Sequence, residues 1–278
     1  AALLAAQASC PFAAVAAYRL RARPLDEPLF APDAAMIGDL VHRLLQRIWD
    51  DLESSATLNR LSDAALASQV RSHAVPLLED ASRQRPDLFT ARFRELEAER
   101  LTQLVLTWLT TERARTEPFE IVALERAQDL EIEGVHFATR VDRIDRLADG
   151  SLAVIDYKTG RQVSPSGWFD ERLTEPQLPL YSLLGGKEVG AALLARVRND
   201  ATGCRFIGVS KTSDPGLGRY VIAPAQFDET LDWAQLQRHW DQAIRALAAE
   251  FAAGRGDLTP SKAACEYCEF DSLCRVAE

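Results

Sequence analysis

The chain has 278 residues, 47% hydrophobic and 26% charged, the composition of an ordinary soluble globular protein long enough for a substantial core. Its net charge of −9 argues against broad, non-specific attraction to nucleic acid. No apolar run reaches the roughly 18 residues that a membrane helix needs. The alanine-rich start, Ala1 to Ala17, lacks a basic leading region and contains Gln7, Ser9 and Pro11, so a signal peptide is not expected. The only methionine is Met36, and the chain is therefore expected to be a fragment, the C-terminal part of a longer polypeptide.

Cys10-Pro11-Phe12 opens a helix that runs through Tyr18 and Leu20, with Pro11 in the first turn, where its missing N–H costs nothing. Pro24, Pro28 and Pro32 mark an extended link carrying Asp26 and Glu27. An amphipathic helix follows from about Asp33 to Leu52, with Leu40, Val41, Leu44, Leu45 and Ile48 in its stripe. His42 lies at the margin of that stripe, one turn after Gly38. Glu53 to Arg60 reads as a loop, Ser62 to about Ser82 as a helix, and Thr90 to Arg115 as another with Leu101, Leu104 and Trp108 inward. These helices read as scaffold, and Arg92, Arg94 and Arg100 as a solvated face.

From Phe119 the hydrophobic period changes to two. Ile121 to Gln128 and Asp129 to Phe137 are expected to form a hairpin around Gly134. Glu125, on the first of these strands, reads either as a further acidic group near a metal or as an ordinary strand residue.

The next hairpin carries the chemistry. Thr139 to Asp145 and Leu152 to Lys158 read as strands, with Asp149-Gly150 as the turn signal between them. The second is apolar on both faces until Asp156, as in a strand buried in the middle of a sheet. With Gly150 in the left-handed position, Leu147 pairs with Ser151, and Asp142 falls opposite Asp156 on the same face. Opposed β-carbons are roughly 4.5–5.5 Å apart, and two like charges there repel. A divalent cation between them turns that cost into a binding site. Lys158, on the same face, reaches past it toward an anion or an attacking water. Such a site suits phosphodiester hydrolysis. Basic residues cluster nearby (Arg140, Arg143, Arg146, Lys158, Arg161) and again at Arg196, Arg198 and Arg205, so the acidic balance does not exclude a nuclease.

After an irregular segment, Pro176 opens a helix on which Gln177 and Tyr181 share one face, a turn apart. Ala191 to Val197 and Cys204 to Ser210 are further strands, Lys211 to Gly218 a flexible loop, and Phe227 to Phe251 a long helix whose Trp233 and Trp240 read as core. Helices, then a β-meander, then a helix predict one α/β domain. Its parts are a mainly helical 1–118, a β-rich catalytic core at 119–222, and a long helix with a cysteine tail at 223–278.

Three of the five cysteines, Cys265, Cys268 and Cys274, fall in the last fourteen residues as C-x2-C-x5-C. In a chain that reads as cytosolic, such a cluster binds a metal more readily than it forms disulfides. A fourth ligand must come from afar: Cys10 and Cys204 are the thiol candidates, with His73, His136 and His239 as outsiders. Four-ligand zinc and a cubane iron–sulfur cluster both satisfy this spacing.

In chain order, Cys10-Pro11-Phe12, Gly38-x3-His42, Asp142-Arg143-Ile144-Asp145, Asp156-Tyr157-Lys158-Thr159-Gly160, Gln177-x3-Tyr181 and the cysteine triplet span nearly the whole chain. Together they resemble the RecB/AddB-type branch of the PD-(D/E)XK nuclease superfamily, as found in predicted bacterial DNA repair proteins. The resemblance implies a restriction-endonuclease-like core, a mixed β-sheet flanked by helices, with a helical N-terminal insert. It implies an Mg²⁺- or Mn²⁺-dependent deoxyribonuclease, expected as an exonuclease, working in the cytoplasm on single-stranded DNA or duplex ends, with a helicase subunit or domain as a further partner. His42, Asp142 and Asp156 would ligate the metal with the carbonyl after Asp156. Lys158 would orient and activate the water, and Gln177 with Tyr181 would support the site. Cys10, Cys265, Cys268 and Cys274 would hold a [4Fe–4S] cluster, with zinc as the competing occupant. The family usually has Gly three residues before the first Asp, where this chain has Thr139, which is expected to tighten the backbone there. Two other classes compete: a catalytically silent DNA-binding module, against which Asp142, Asp156 and Lys158 all speak, and a zinc-stapled interaction domain, which would make that constellation a coincidence.

Overall fold

The computed structural model describes residues 1–25, 28–212, 216–259, 262–266 and 268–276. Asp26 and Glu27 of the proline-marked link, residues 213–215 of the loop after Lys211, and Tyr267 of the tail lie outside the described residues.

The first part is helical. α1 (Ala2–Ser9), an element not expected from the sequence, is built mainly of alanine and leucine, strong helix formers, and buries Leu4. α2 (Pro11–Ala14) starts at Pro11 and runs into a π-helical turn, Val15–Arg19. α3 (Ala34–Leu52) is capped by Asp33, whose carboxylate accepts the Met36 N–H at 2.8 Å. The loop expected at Glu53 to Arg60 is mostly helix. Glu53 closes α3 in a left-handed conformation, φ 57°, and Ser54 then caps α4 (Ser55–Arg60). α5 (Asp63–Gln84) and α6 (Ala91–Arg113) follow, capped by Ser62 and Thr90.

β1 (Phe119–Ile132) and β2 (Val135–Leu147) form one long hairpin. Glu133 and Gly134 close it with φ of 50° and 74°, the two positive values that a type I′ turn needs. The strand boundary expected at Gln128/Asp129 is therefore absent, and Phe137 and Thr139 belong to one strand, because pairing runs without interruption from that turn out to Arg126 and Val141. β3 (Leu152–Lys158) pairs antiparallel with β2 and parallel with β4 (Val189–Arg196); α7 (Gln177–Leu184) lies on the crossover between them. β5 (Arg205–Ser210) and β6 (Val221–Ile222) complete a sheet that among the described residues has six strands, in the order β1-β2-β3-β4-β5-β6. α8 (Trp233–Ala252) starts later than Phe227, since Asp232 and Gln235 bond reciprocally to each other's backbone N–H at 2.7 Å, a capping box. The tail ends in two short helices, α9 (Lys262–Cys265) and α10 (Asp271–Cys274).

Helices cover both faces. α3, α5 and α6 pack on Ala153, Ile155 and Tyr157, while α1, α7 and α8 pack on Ile144, Val154 and Leu194. β3 is thus buried on both sides, which is why it reads as a continuous apolar run. Trp240 is a core residue as expected and Trp233 packs half-buried against that core, their indole N–H groups donating to the Trp168 and Val189 carbonyls at 2.9 Å. The architecture is the mixed, helix-flanked sheet of a restriction-endonuclease-like α/β fold. Among the described residues no helix is long and apolar enough to cross a membrane.

Two arginines of the sequence's basic clusters are not available to a ligand. Arg143 is fully buried between Glu112 (2.5 Å) and Asp145 (2.6 Å), its guanidinium 4.0 Å from the Trp49 ring centroid. Arg115 completes this quartet, 2.8 Å from Asp145 and 3.2 Å from Glu112. Arg196 is buried and clamped to Asp200 at 2.5 Å. On α6, Arg92 pairs with Glu95 along a solvated face, while Arg100 pairs with Glu97, whose carboxylate is buried.

Candidate active site

The β2–β3 register is the one that the Asp149-Gly150 turn predicts: Leu147 N bonds Ser151 O at 2.8 Å, Gly150 has φ 81°, and Arg143 pairs with Ile155, which sets Asp142 across from Asp156. Both carboxylates are buried, Asp156 to 1% exposure and Asp142 to 8%. They sit in a cleft of about 700 Å³ also lined by His42, Glu125, Arg140, Lys158 and Gln177.

α3 brings His42 to the strands. Its approach is close: a Cβ on Gly38 would stand 3.3 Å from the Thr159 hydroxyl, so any larger residue there needs the Thr159 side chain to give way. His42 Nδ1 lies 3.2 Å from Asp142 Oδ2, and the same oxygen accepts the Tyr157 backbone N–H at 2.9 Å. Asp156 is held from the other side. Its Oδ1 accepts Gln177 Nε2 at 2.5 Å, and its Oδ2 lies 2.8 Å from Lys158 Nζ as an ion pair. Lys158 Nζ also donates to Gln177 Oε1 at 3.3 Å, and Gln177 Nε2 reaches Tyr181 Oη at 3.4 Å. The structure thus brings together His42, Asp142, Asp156, Lys158, Gln177 and Tyr181. Thr139, at the position of the family's Gly, is an ordinary β2 residue whose hydroxyl bonds the Gln128 carbonyl at 3.1 Å.

Glu125 belongs to the same group. It sits on β1 beside Asp142 in a left-handed conformation, φ 47°, unusual for a residue with a side chain, and Arg140 pairs with it at 3.4 Å. One donor atom each from His42, Glu125 and Asp142 lies within 4.8 Å of the others.

Electrostatics match a crowded acidic centre. Burial first, then the charge of Asp142, pushes the Asp156 carboxyl up to about 6, against the pull of Lys158. Burial and Asp142 likewise raise Glu125. Burial pulls His42 down, but its hydrogen bond to Asp142 and the surrounding carboxylates outweigh that and leave it above its usual value. Lys158 is raised in the same way, with Asp156 overcoming burial. The residues fit a divalent ion: clustered carboxylates with an imidazole suit Mg²⁺ or Mn²⁺, and the buried Asp156 Oδ2 has no aligned hydrogen bond.

Those shifts fix a sign. A carboxyl and an imidazole whose folded pKa values are raised stabilise the metal-free fold at low pH, and that contribution is lost as pH rises through the folded values. Cation binding needs both groups deprotonated, so Mn²⁺ affinity should climb by up to about a hundredfold per pH unit below about 6, where both still carry protons, climb less steeply above that until His42 has titrated, and then level off. Calorimetric titration of the purified protein between about pH 5 and 8 reads this directly. A flat profile would remove Asp156 and His42 from the ligand set.

The cysteines lie elsewhere. All five are free thiols: Cys10 joins α1 to α2, Cys265 and Cys274 end α9 and α10, and Cys268 lies between them. The Phe270 N–H points to Cys268 Sγ at 3.4 Å, and Phe12 N bonds Asp257 O at 3.2 Å, tying the Cys10 segment to the chain after α8. Among the described residues, no three of these sulfurs stand close enough together to share one metal ion. Cys204 donates to the Arg198 carbonyl and packs against the helical core.

Two carboxylates opposed on a central hairpin, a lysine two residues after the second, and a histidine from a neighbouring helix form an acidic group suited to a divalent metal. The model of the PD-(D/E)XK nuclease superfamily matches residues 3–275, and the chain belongs to that superfamily. No curated protein matches it. Membership indicates a metal-dependent nuclease with DNA as its substrate.

Proposed function

We propose that this chain is a RecB/AddB-type DNA nuclease acting in DNA repair or recombination, with its helical, β-rich and C-terminal parts working as one domain. The observation that carries this is the single cleft joining His42 and Asp142 to Asp156, Lys158 and Gln177. His42, Asp142 and Asp156 would hold Mg²⁺ or Mn²⁺, with Glu125 beside them. When bound, the ion supplies Lewis acidity to the phosphodiester and acidifies water. Gln177 fixes Oδ1 of Asp156 and leaves Oδ2 toward Lys158. Lys158, steadied by Asp156 and Gln177, presents its ammonium to the attacking water or a non-bridging phosphate oxygen. Tyr181 braces Gln177 from the next turn of α7. Exonuclease action on single strands or duplex ends, a helicase partner and a cytoplasmic setting complete the proposal. Incubating single- and double-stranded DNA with the protein, with and without Mg²⁺ and Mn²⁺, tests it. No cleavage under any of these conditions would refute it.

The proposal extends to a [4Fe–4S] cluster on Cys10, Cys265, Cys268 and Cys274, a cross-link that closes almost the whole chain. Closing a loop that long restricts the unfolded ensemble by about 4 kcal/mol in the chain-entropy account of cross-links. Cys10→Ser and Cys268→Ser are therefore expected each to bleach the protein and to lower its melting temperature similarly, while Cys204→Ser does neither. Metal analysis of anaerobically purified protein that finds stoichiometric zinc and no iron would sink the iron–sulfur assignment.

A further inference from the structure

Arg140 lies two residues before Asp142 on β2, so both side chains leave the same face of the strand. Its guanidinium is 66% exposed, lines the cleft, and pairs with Glu125 at 3.4 Å. An exposed ion pair of this length adds little stability and exchanges easily for a better partner. Its position accounts for it. Glu125, Asp142 and Asp156 crowd negative charge into one buried corner, and Arg140 supplies positive charge there from the open side.

We propose that Arg140 is a metal-gated phosphate clamp: it rests on Glu125 until a divalent cation neutralises the acidic group, and then turns to a phosphate of the DNA strand in the cleft. The inference rests on reading this site as a divalent-cation nuclease centre. A cation held at Asp142 also draws on Glu125, whose carboxylate lies within 4.8 Å of the Asp142 and His42 donor atoms, and this removes the reason for the Arg140 contact. The released guanidinium then stands at the mouth of the cleft that holds Lys158, with five donors in a fork that matches phosphate oxygens. Because Arg140 and the cation compete for one carboxylate while the phosphate rewards both, cation and DNA binding are linked, and linkage is reciprocal.

The variant Arg140→Gln separates these effects. DNA affinity is read by the anisotropy of a labelled oligonucleotide, in chelator and in Ca²⁺, with its integrity checked on a gel. Cation affinity is read by Mn²⁺ titration of the DNA-free protein. The clamp predicts about tenfold weaker DNA binding in Ca²⁺, the loss of one charge-assisted contact, little change in chelator, and Mn²⁺ binding at least as tight as in the parent. Glu125→Gln frees Arg140 without metal and should strengthen DNA binding in chelator. Equal losses in chelator and Ca²⁺ would make Arg140 a generic surface charge and overturn the clamp. Weaker Mn²⁺ binding by Arg140→Gln would overturn it too. A parent protein that cleaves DNA with Mg²⁺, beside a variant identical to it in every titration, would end the clamp and leave the nuclease reading standing. A parent whose DNA binding ignores the cation would end the clamp, and one that also fails to cleave with Mg²⁺ or Mn²⁺ would end the nuclease reading with it.

Discussion

Alanine at Asp156 or at Lys158 is expected to lower metal-dependent DNA cleavage by about 10³-fold, the scale of removing a preorganised charge from a transition state. The fold should survive both. Asp156 is buried at 1% exposure with its carboxyl pushed up to about 6, so above that pH its ionised form burdens the metal-free protein. Asp156→Ala should therefore melt no lower than the parent above about pH 7 in chelator, while losing the stabilisation that Mn²⁺ gives the parent. Lys158→Ala differs. It removes the cation 2.8 Å from Asp156 and leaves the two aspartates to repel each other, so its metal-free form should be somewhat less stable at neutral pH. Opposite stability responses with the same catalytic loss distinguish an active-site pair from a structural ion pair. Timed digestion of an end-labelled strand, run beside melting curves in chelator and in Mn²⁺, measures both. Cleavage at the parental rate by either variant, or an unfolded variant that explains the loss, would refute the assignment.

The Asp142/Asp156 pairing is legible because it is local: Asp149-Gly150 sets a register, and counting outward from it aligns the carboxylates. The same count applied to the Glu133-Gly134 turn aligns Glu125 with Asp142. Glu125 stays ambiguous in the sequence because a strand boundary drawn at Gln128/Asp129 hides that count. His42 cannot be reached this way. Only the packing of α3 on the sheet, with Gly38 against Thr159, sets its imidazole on Asp142, and that contact spans a long sequence separation. Gln177 and Tyr181 show as a helical pair in the sequence, but their direction toward Asp156 comes from the crossover between β3 and β4. Composition was misleading at Arg143. It counts in the sequence as one of a basic cluster near the site, yet strand alternation turns it away from Asp142, toward Glu112 on α6.

That buried arginine carries the largest expected effect on stability. Arg143 neutralises Glu112 and Asp145, and its guanidinium also donates to Tyr157 Oη at 3.2 Å. Tyr157 in turn supplies the backbone N–H that holds Asp142, and its ring meets that of His42 edge-on. Arg143→Leu leaves two buried carboxylates facing Arg115 alone. Breaking a buried charge group from one side costs about 3–5 kcal/mol, a drop in melting temperature on the order of 10 °C for a chain of this size. The loosened Tyr157 should weaken metal binding as well. Removing Glu112 together with Arg143, as Glu112→Leu/Arg143→Leu, restores charge balance around Arg115 and Asp145, so the pair should be less destabilised than the sum of the single variants. Urea unfolding of the parent, both single variants and the double variant measures this coupling. A loss under about 1 kcal/mol for Arg143→Leu, or strict additivity in the cycle, would show that the quartet is not what joins α6 to the active-site hairpin.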